Sequence, residues 1–351
     1  MTVDRRSFYS FSLLELQAFC KEHGLPAFVA SQLMDWVYKK NVLFLHDMRN
    51  ISKKNQALLE SLLDFSLFAD VSTLSSKEDN AIKTIATLHD GNKVECVILK
   101  EKDYYTLCVS SQCGCPVDCK FCLTGVVGFK RQLSTAEIVS QIVYANSIGY
   151  PIKNIVFMGM GEPLLNYEAV FEAIDILTAD YSYDLSKRSI TVSTSGYAPG
   201  IKRLMKDERY INLAFSVGSA DPLTRVQLMP IEKRHSIIDF VKLLKEYQSL
   251  HNRKLTLEYT TLEGVNDSDY QIQALMNLSC YLDAKINLIN LNPHPLIPYK
   301  PLSEKALLKI RDRIKSKKLP VTVRYKKGQD ITAACGQLGQ SHLKQKGECA
   351  S

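Results

Sequence analysis

The sequence predicts an α/β protein: a parallel strand–helix repeat preceded by a small helical module. Two observations carry this. From Tyr104 onward, β-type runs and helical runs alternate about six times, the signature of a parallel sheet with crossover helices. Before that, residues 11 to 65 carry apolar side chains at helical spacing. Leu14, Phe19 and Cys20 precede the breaker His23-Gly24-Leu25-Pro26, and a second periodic run extends from Phe28 to Tyr38.

Next come two strand-like runs, Ala81–Leu88 and Val94–Leu99. They are joined by His89-Asp90-Gly91-Asn92, whose Asp-Gly is a hairpin signal. In the α/β region the expected strands are Tyr104–Val109, Asn154–Met158, Ser189–Ser193, Asn212–Val217, Lys254–Thr261, Lys285–Leu291 and Val321–Tyr325. The expected helices are Thr135–Ser147, Glu168–Ala179, Gly200–Lys206, Ser236–Ser249, Asp269–Tyr281 and Ser303–Lys315. A doubly wound sheet and a barrel both satisfy this order.

Composition narrows the class. The chain has 351 residues, 46% hydrophobic and 23% charged, ordinary for a globular protein. Its apolar runs fall short of the roughly 18 residues of a membrane span, and no signal peptide is visible. A cytoplasmic protein without membrane partners is expected. In that compartment ten cysteines point to metal or redox use rather than to a disulfide framework. The net charge of +7 suits a polyanion such as RNA but does not by itself identify one.

Five cysteines crowd between Cys108 and Cys122. Cys115, Cys119 and Cys122 form C-x-x-x-C-x-x-C, just past the first strand of the α/β region, where such folds place active sites. Three thiolates occupy three corners of a four-iron cluster and leave the fourth iron open. Zinc would want a fourth paired Cys or His, and none is near.

Other segments invite two readings each. Met158-Gly159-Met160-Gly161-Glu162-Pro163 follows the second strand. Its glycines let backbone approach a ligand and Glu162 can accept from a ligand amine; it is otherwise a plain strand-to-helix turn. Cys335, after the last strand, is an accessible nucleophile or a small buried hydrophobe. Cys108 points inward from a strand or forms a transient disulfide. Glu95 on the hairpin is edge-facing or functional. Lys130-Arg131 and Lys187-Arg188 hold phosphates or form an ordinary solvated face.

Together these motifs resemble the radical S-adenosylmethionine superfamily. Cys108 through Cys115, Cys122-Leu123-Thr124-Gly125, Gly128-Phe129-Lys130-Arg131, Met158 through Pro163 and Ala333 through Leu338 resemble, within it, the RlmN/Cfr family of RNA adenine methyltransferases. The similarity runs from about Leu14 to Leu338.

The resemblance implies a partial (β/α)6 radical SAM barrel over 104–340, with a helical RNA-binding accessory domain over 1–75, a β-hairpin extension over 76–103 and a disordered tail over 341–351. It implies that Cys115, Cys119 and Cys122 hold a [4Fe-4S] cluster that chelates S-adenosylmethionine. Gly161, Glu162, Ser193, Ser216 and Asn292 would contact that cofactor. Two cofactor molecules are spent per turnover. One methylates Cys335; the other yields a radical that takes a hydrogen from the S-methyl group, and the resulting methylene radical adds to adenine. Cys108 then attacks the Cys335 sulfur and releases the methylated base, with Glu95 as the family's proposed base. The partners implied are 23S rRNA, tRNA or both, and an external electron donor such as flavodoxin, acting on a monomer.

The Met158–Asn166 and Gly128–Arg131 stretches look more like RlmN, which modifies C2 of adenosine, than Cfr, which modifies C8. Three positions depart from the family pattern: Gly218 where His is usual, Val29 where Arg is expected, and Thr332 in place of an acidic residue. Gly218 and Val29 motivate a rival reading, an RNA-binding paralogue without catalysis. A zinc-bound structural protein is the third reading. Cys113 has no assigned role.

Overall fold

The computed structural model describes residues 5–207, 209, 211–251, 255–324 and 326–343. Ten strands make its main sheet: β1 (Asp70–Ser75), β2 (Ile82–Thr87), β3 (Lys93–Lys100), β4 (Tyr105–Cys108), β5 (Ile152–Phe157), β6 (Ile190–Thr194), β7 (Asn212–Ser216), β8 (Thr256–Thr261), β9 (Lys285–Asn290) and β10 (Val321–Arg324). Spatial order equals chain order throughout. Strands β1 to β4 form an antiparallel meander, and β4 to β10 are all parallel.

This order decides between the two architectures. A doubly wound sheet reverses direction at a switch point; this one never does. It also curls. In a flat sheet β5 and β10 would lie about 24 Å apart, at roughly 4.8 Å per strand. Yet Arg324 Nη1, at the end of β10, lies 3.4 Å from Met158 Sδ, just past β5. Six strand–helix units and a seventh strand therefore bend into an open, partial barrel. One face of the parallel strands is apolar and packed under the helices, with Val192, Phe215, Leu257, Tyr259, Ile286 and Leu288 inaccessible, and the other turns Ser193, Ser216, Glu258 and Thr260 toward the inside of the barrel.

Local signals start the helices. Ser134, Ser268 and Ser303 each accept the backbone N–H three residues on, and at Thr135–Ser147 the Glu137 side chain completes a capping box. Helix Pro222–Leu228, not anticipated from periodicity, is short and starts with Asp221 as cap and Pro222 in its first turn. Lys254 and Tyr325, the outer ends of two expected strands, lie outside the described residues.

The helical unit at the N-terminus includes Leu13–Glu22, Phe28–Met34 and Lys53–Leu62. Phe8 stacks on Phe65 with ring centroids 5.0 Å apart, and Tyr38 meets Tyr183 edge-on at 5.4 Å, so its core is continuous with that of the barrel. Val29 lies inside this core. No side chain there can touch RNA, so this departure from the family pattern is a packing matter.

Two sequence expectations change here. The hairpin over 76–103 is continuous with the barrel: β3 pairs with β4 and covers an edge whose backbone groups would otherwise be unpaired. A third strand, β1, whose side chains are mostly exposed, extends it. The tail begins later than 341. Ser341 and His342 are buried in a helical turn over 340–343, because a carboxylate beneath them binds the backbone; residues 344–351 lie outside the described residues.

Ser110, past the end of β4, has no strand partner for its backbone. Buried Gln141 supplies one: Oε1 accepts from Ser110 N at 3.0 Å and Nε2 donates to Ser110 O at 3.0 Å. Gln141→Leu keeps the bulk but strands both groups, which should cost about 2–4 kcal/mol in urea unfolding.

Candidate active site

The cysteine loop leaves β4 through Gln112–Cys113, which pairs antiparallel with Arg131–Gln132 and closes the loop at its base. Gly114 is obligatory there. Its φ is +77°, and an added Cβ would lie 1.7 Å from the Gly128 carbonyl oxygen. Cys113 is fully buried beneath this base, and burial pushes its thiol up to about 12. It behaves as a small hydrophobe. Arg131 is spoken for: it makes a two-armed contact with Glu137, both distances 2.8 Å, and also bonds Asp90. Only Lys130 of that pair projects freely into solvent. Lys187 and Arg188 are exposed but precede β6, at the opposite end of the strands from the cysteines.

At the C-terminal ends of the strands opens a cavity, the place where folds of this kind hold their ligands. Cys115, Cys119 and Cys122 line it, and so do Gly161, Glu162, Ser193, Ser216, Asn292 and Cys335. The structure thus gathers the triad and every residue expected to contact a cofactor. Burial raises the Cys115 and Cys119 thiols, and their neighbouring thiols raise them further. Three thiolates so placed need a cationic group among them. Among the described residues no three Cys, His, Asp or Glu side chains converge to hold a single ion. A four-iron cluster needs no such convergence, since each thiolate meets its own iron, and the residues fit that group better than zinc.

The cavity also offers an unused acceptor. Asn292 is buried; its Nδ2 donates to Cys335 O at 2.9 Å, while its Oδ1 has no partner. A buried amide oxygen left so is matched by a ligand donor. Ser193 and Ser216 Oγ lie 3.3 Å apart on adjacent strands. Glu162 is buried, and that burial raises its carboxyl. Its Oε2 already accepts from Ser195 N at 2.7 Å and from Ser195 Oγ, which fixes the carboxylate's orientation and occupies that oxygen.

A second cavity shares a wall with the first. Met158, Ile289, Asn290, Asn292, Arg324 and Cys335 line both. Cys108, Glu101, Lys326 and Lys327 line only the second. Burial lifts the Cys108 thiol to about 12; the Cys335 sulfur raises it further and Arg324 opposes the rise. Cys335 is half-buried, and its loop docks on the cysteine loop: Leu123 N donates to Gly336 O at 2.7 Å and Thr124 Oγ1 to Leu338 O at 2.7 Å. Glu95 lines neither cavity.

Sequence reasoning missed Arg324, whose guanidinium lies against Met158 and in the field of Cys335, Glu258 and Cys108, which raises it. It also missed Glu258, which lines the first cavity and whose carboxyl burial pushes up. The available signal for Arg324 is a charge at the C-terminal end of a barrel strand, and for Glu258 a charge inside one. Buried Arg225, below the cysteines, ties Val217 O, Ser195 O and Glu232 together and has no comparable signal. Thr332 sits at φ +54° and contributes its carbonyl rather than its side chain.

Comparisons with known proteins agree with this geometry. The model of the radical SAM superfamily matches residues 109–275, and that of the ribosomal RNA large subunit methyltransferase N-terminal domain matches residues 8–64. A probable dual-specificity RNA methyltransferase RlmN of Akkermansia muciniphila is 38% identical over 92% of this chain and 92% of that protein. Its namesake in Aquifex aeolicus is 38% identical over 95% and 97%. The crystal structure of a radical SAM methyltransferase from Sphaerobacter thermophilus superposes with a TM-score of 0.91 at 35% identity, covering 95% of this chain and 98% of that one.

Gly218, on the cavity wall, has φ +67°, and a Cβ there would meet Met229 Sδ at 2.4 Å. Methionine sulfur fills the space a larger residue would take. Gly218→Ala should therefore cost about 1–3 kcal/mol through backbone strain and displacement of Met229. Thermal melting and the iron retained after reconstitution would both fall.

Proposed function

Because the chain belongs to the RlmN family of radical SAM RNA methyltransferases, we propose that it methylates C2 of an adenosine through a methyl group carried on Cys335. The substrates are 23S rRNA, in the peptidyl-transferase region, and tRNA, next to the anticodon. One observation carries this reading: Cys335 stands in the wall between two cavities, with the cysteine triad in one and Cys108 in the other.

When bound, the iron–sulfur cluster and S-adenosylmethionine supply a methyl donor and, from a second cofactor molecule, a radical able to abstract hydrogen from a methyl group. Cys115, Cys119 and Cys122 would hold the cluster. Asn292 orients the Cys335 backbone through Nδ2 and leaves Oδ1 for the cofactor. Gly161, Glu162, Ser193 and Ser216 line the remainder of that cavity.

The second cavity suits a nucleobase. Val97, Leu99 and Leu338 give it apolar walls, and Arg324, Lys326 and Lys327 leave it net positive although Glu101 pairs with Lys327. Cys335 is the carbon carrier and Cys108 the resolving thiol. As a thiolate, Cys108 attacks the Cys335 sulfur; the S–S bond forms, the carbon–sulfur bond breaks, and the released carbon takes a proton. Arg324 favours the Cys108 thiolate against its burial. An external electron donor such as flavodoxin reduces the cluster, and the protein acts as a monomer. Among the described residues no helix is long and apolar enough to cross a membrane.

The reading is tested with Cys108→Ala, produced in cells and purified under strong denaturant. RNA should remain covalently attached, and peptide mapping should place it on Cys335. Wild-type protein expressed in cells without their own C2 methyltransferase should restore 2-methyladenosine to rRNA and tRNA, measured by nucleoside mass spectrometry. The 8-methyl isomer would instead assign a C8 reaction, and an unmodified Cys335 with neither product would leave an RNA-binding protein without catalysis.

A further inference from the structure

Glu95 has no access to either cavity because the segment that follows Cys335 covers it. The carboxylate is fully buried in β3. Its Oε2 accepts from Gly339 N at 2.9 Å and its Oε1 from Ser341 N at 2.8 Å. On the neighbouring strand, Lys83 is 2% exposed and places Nζ 2.8 Å from Glu95 Oε2. The same ammonium donates to Thr332 O at 3.0 Å. One ion pair therefore grips the Cys335 loop on both sides: Lys83 three residues before the cysteine, Glu95 four and six residues after it. Leu123, Thr124 and Asn292 attach the loop from the cavity side, and on the hairpin side Asp79 and Lys77 hold only its start, at Gly328 and Asp330.

We infer that Lys83 and Glu95 are a latch: paired positioning residues that fix the loop carrying Cys335, with Glu95 acting on backbone amides rather than on the substrate. Two charges are withdrawn from water here, and each is tolerated only because the other and three backbone groups complete its bonding. Both Glu95 oxygens are engaged by the loop or by Lys83, and Glu95 lines neither cavity. Lys83 becomes a functional residue although it reaches neither the cofactor cavity nor the nucleobase cavity. The inference rests on Cys335 being the methyl carrier, but its first test does not.

That test is amide hydrogen exchange on the full, cluster-loaded chain, followed by mass spectrometry of peptides covering 328–343. In Lys83→Met, exchange in this segment should rise by roughly tenfold or more, the worth of a hydrogen bond to a charged group, while β5 to β9 stay protected. The second measurement is RNA methylation by Lys83→Met, Glu95→Gln and the double variant. Each single change leaves one buried charge uncompensated and should lower turnover at least about tenfold; the double variant removes both charges and should be more active than either. Unchanged exchange at 328–343 in Lys83→Met overturns the latch. So does a double variant as inactive as Glu95→Gln beside a near-normal Lys83→Met, which would make Glu95 a proton acceptor. Global unfolding of all three variants would assign the pair to the core and likewise refute it. Absence of S-methyl on wild-type Cys335 is a separate result, counting against the carrier role and not against the latch.

Discussion

The bend of the parallel sheet is the constraint on which the site depends. Flat, the same seven strands would put the end of β10 far from the end of β5. Curled, they bring Arg324 against Met158 and enclose a cavity whose lining comes from loops and strand ends across the barrel. The curl is sustained by ordinary means: strands apolar on the face under the helices and helices begun by serine caps. Chemistry enters on the opposite, inward face and at the C-terminal edge, where Glu258 and Arg324 stand.

At that edge, three sulfur environments are kept distinct. Cys115, Cys119 and Cys122 share a cavity wall; burial and then the neighbouring sulfurs hold Cys115 and Cys119 against ionising, so a cationic group is what the arrangement lacks. Cys108 is deeply buried, and Arg324 is the nearby cation that favours its thiolate. Cys113 and Cys96 are packed as hydrophobes. Proximity along the chain does not predict these fates. Cys113 is two residues from a cluster-type cysteine and faces the core, while Cys335 stands beside Cys108 from the far side of the sheet.

Much of this was legible in the sequence. Helix Thr135–Ser147 has a serine cap and a capping glutamate at the right offsets, and it begins and ends where its pattern says. The triad and the Gly161-Glu162 segment carry their chemistry in local spacing, and they meet in one cavity. What was not legible depends on partners distant in sequence. Arg131 has the composition of a phosphate ligand but is held by Asp90 and Glu137. Lys187 and Arg188 are basic and exposed yet sit at the other end of the strands. Lys83 stands on a hairpin strand, and its bond to Thr332 O comes from a loop some 250 positions later. Nothing local signals any of these.

The identity of chain order and spatial order has a temporal meaning. Each barrel strand is synthesised beside a neighbour that already exists, so the sheet can grow by short-range additions, one βα unit at a time. The cysteine triad emerges with the first of these units. The loop bearing Cys335 follows β10 and docks only after every strand is in place. Maturation therefore runs from front to back: the bowl that would receive the iron–sulfur cluster takes shape while its Cys335 wall is still missing, and the proposed methyl carrier would be in place only once the scaffold is finished.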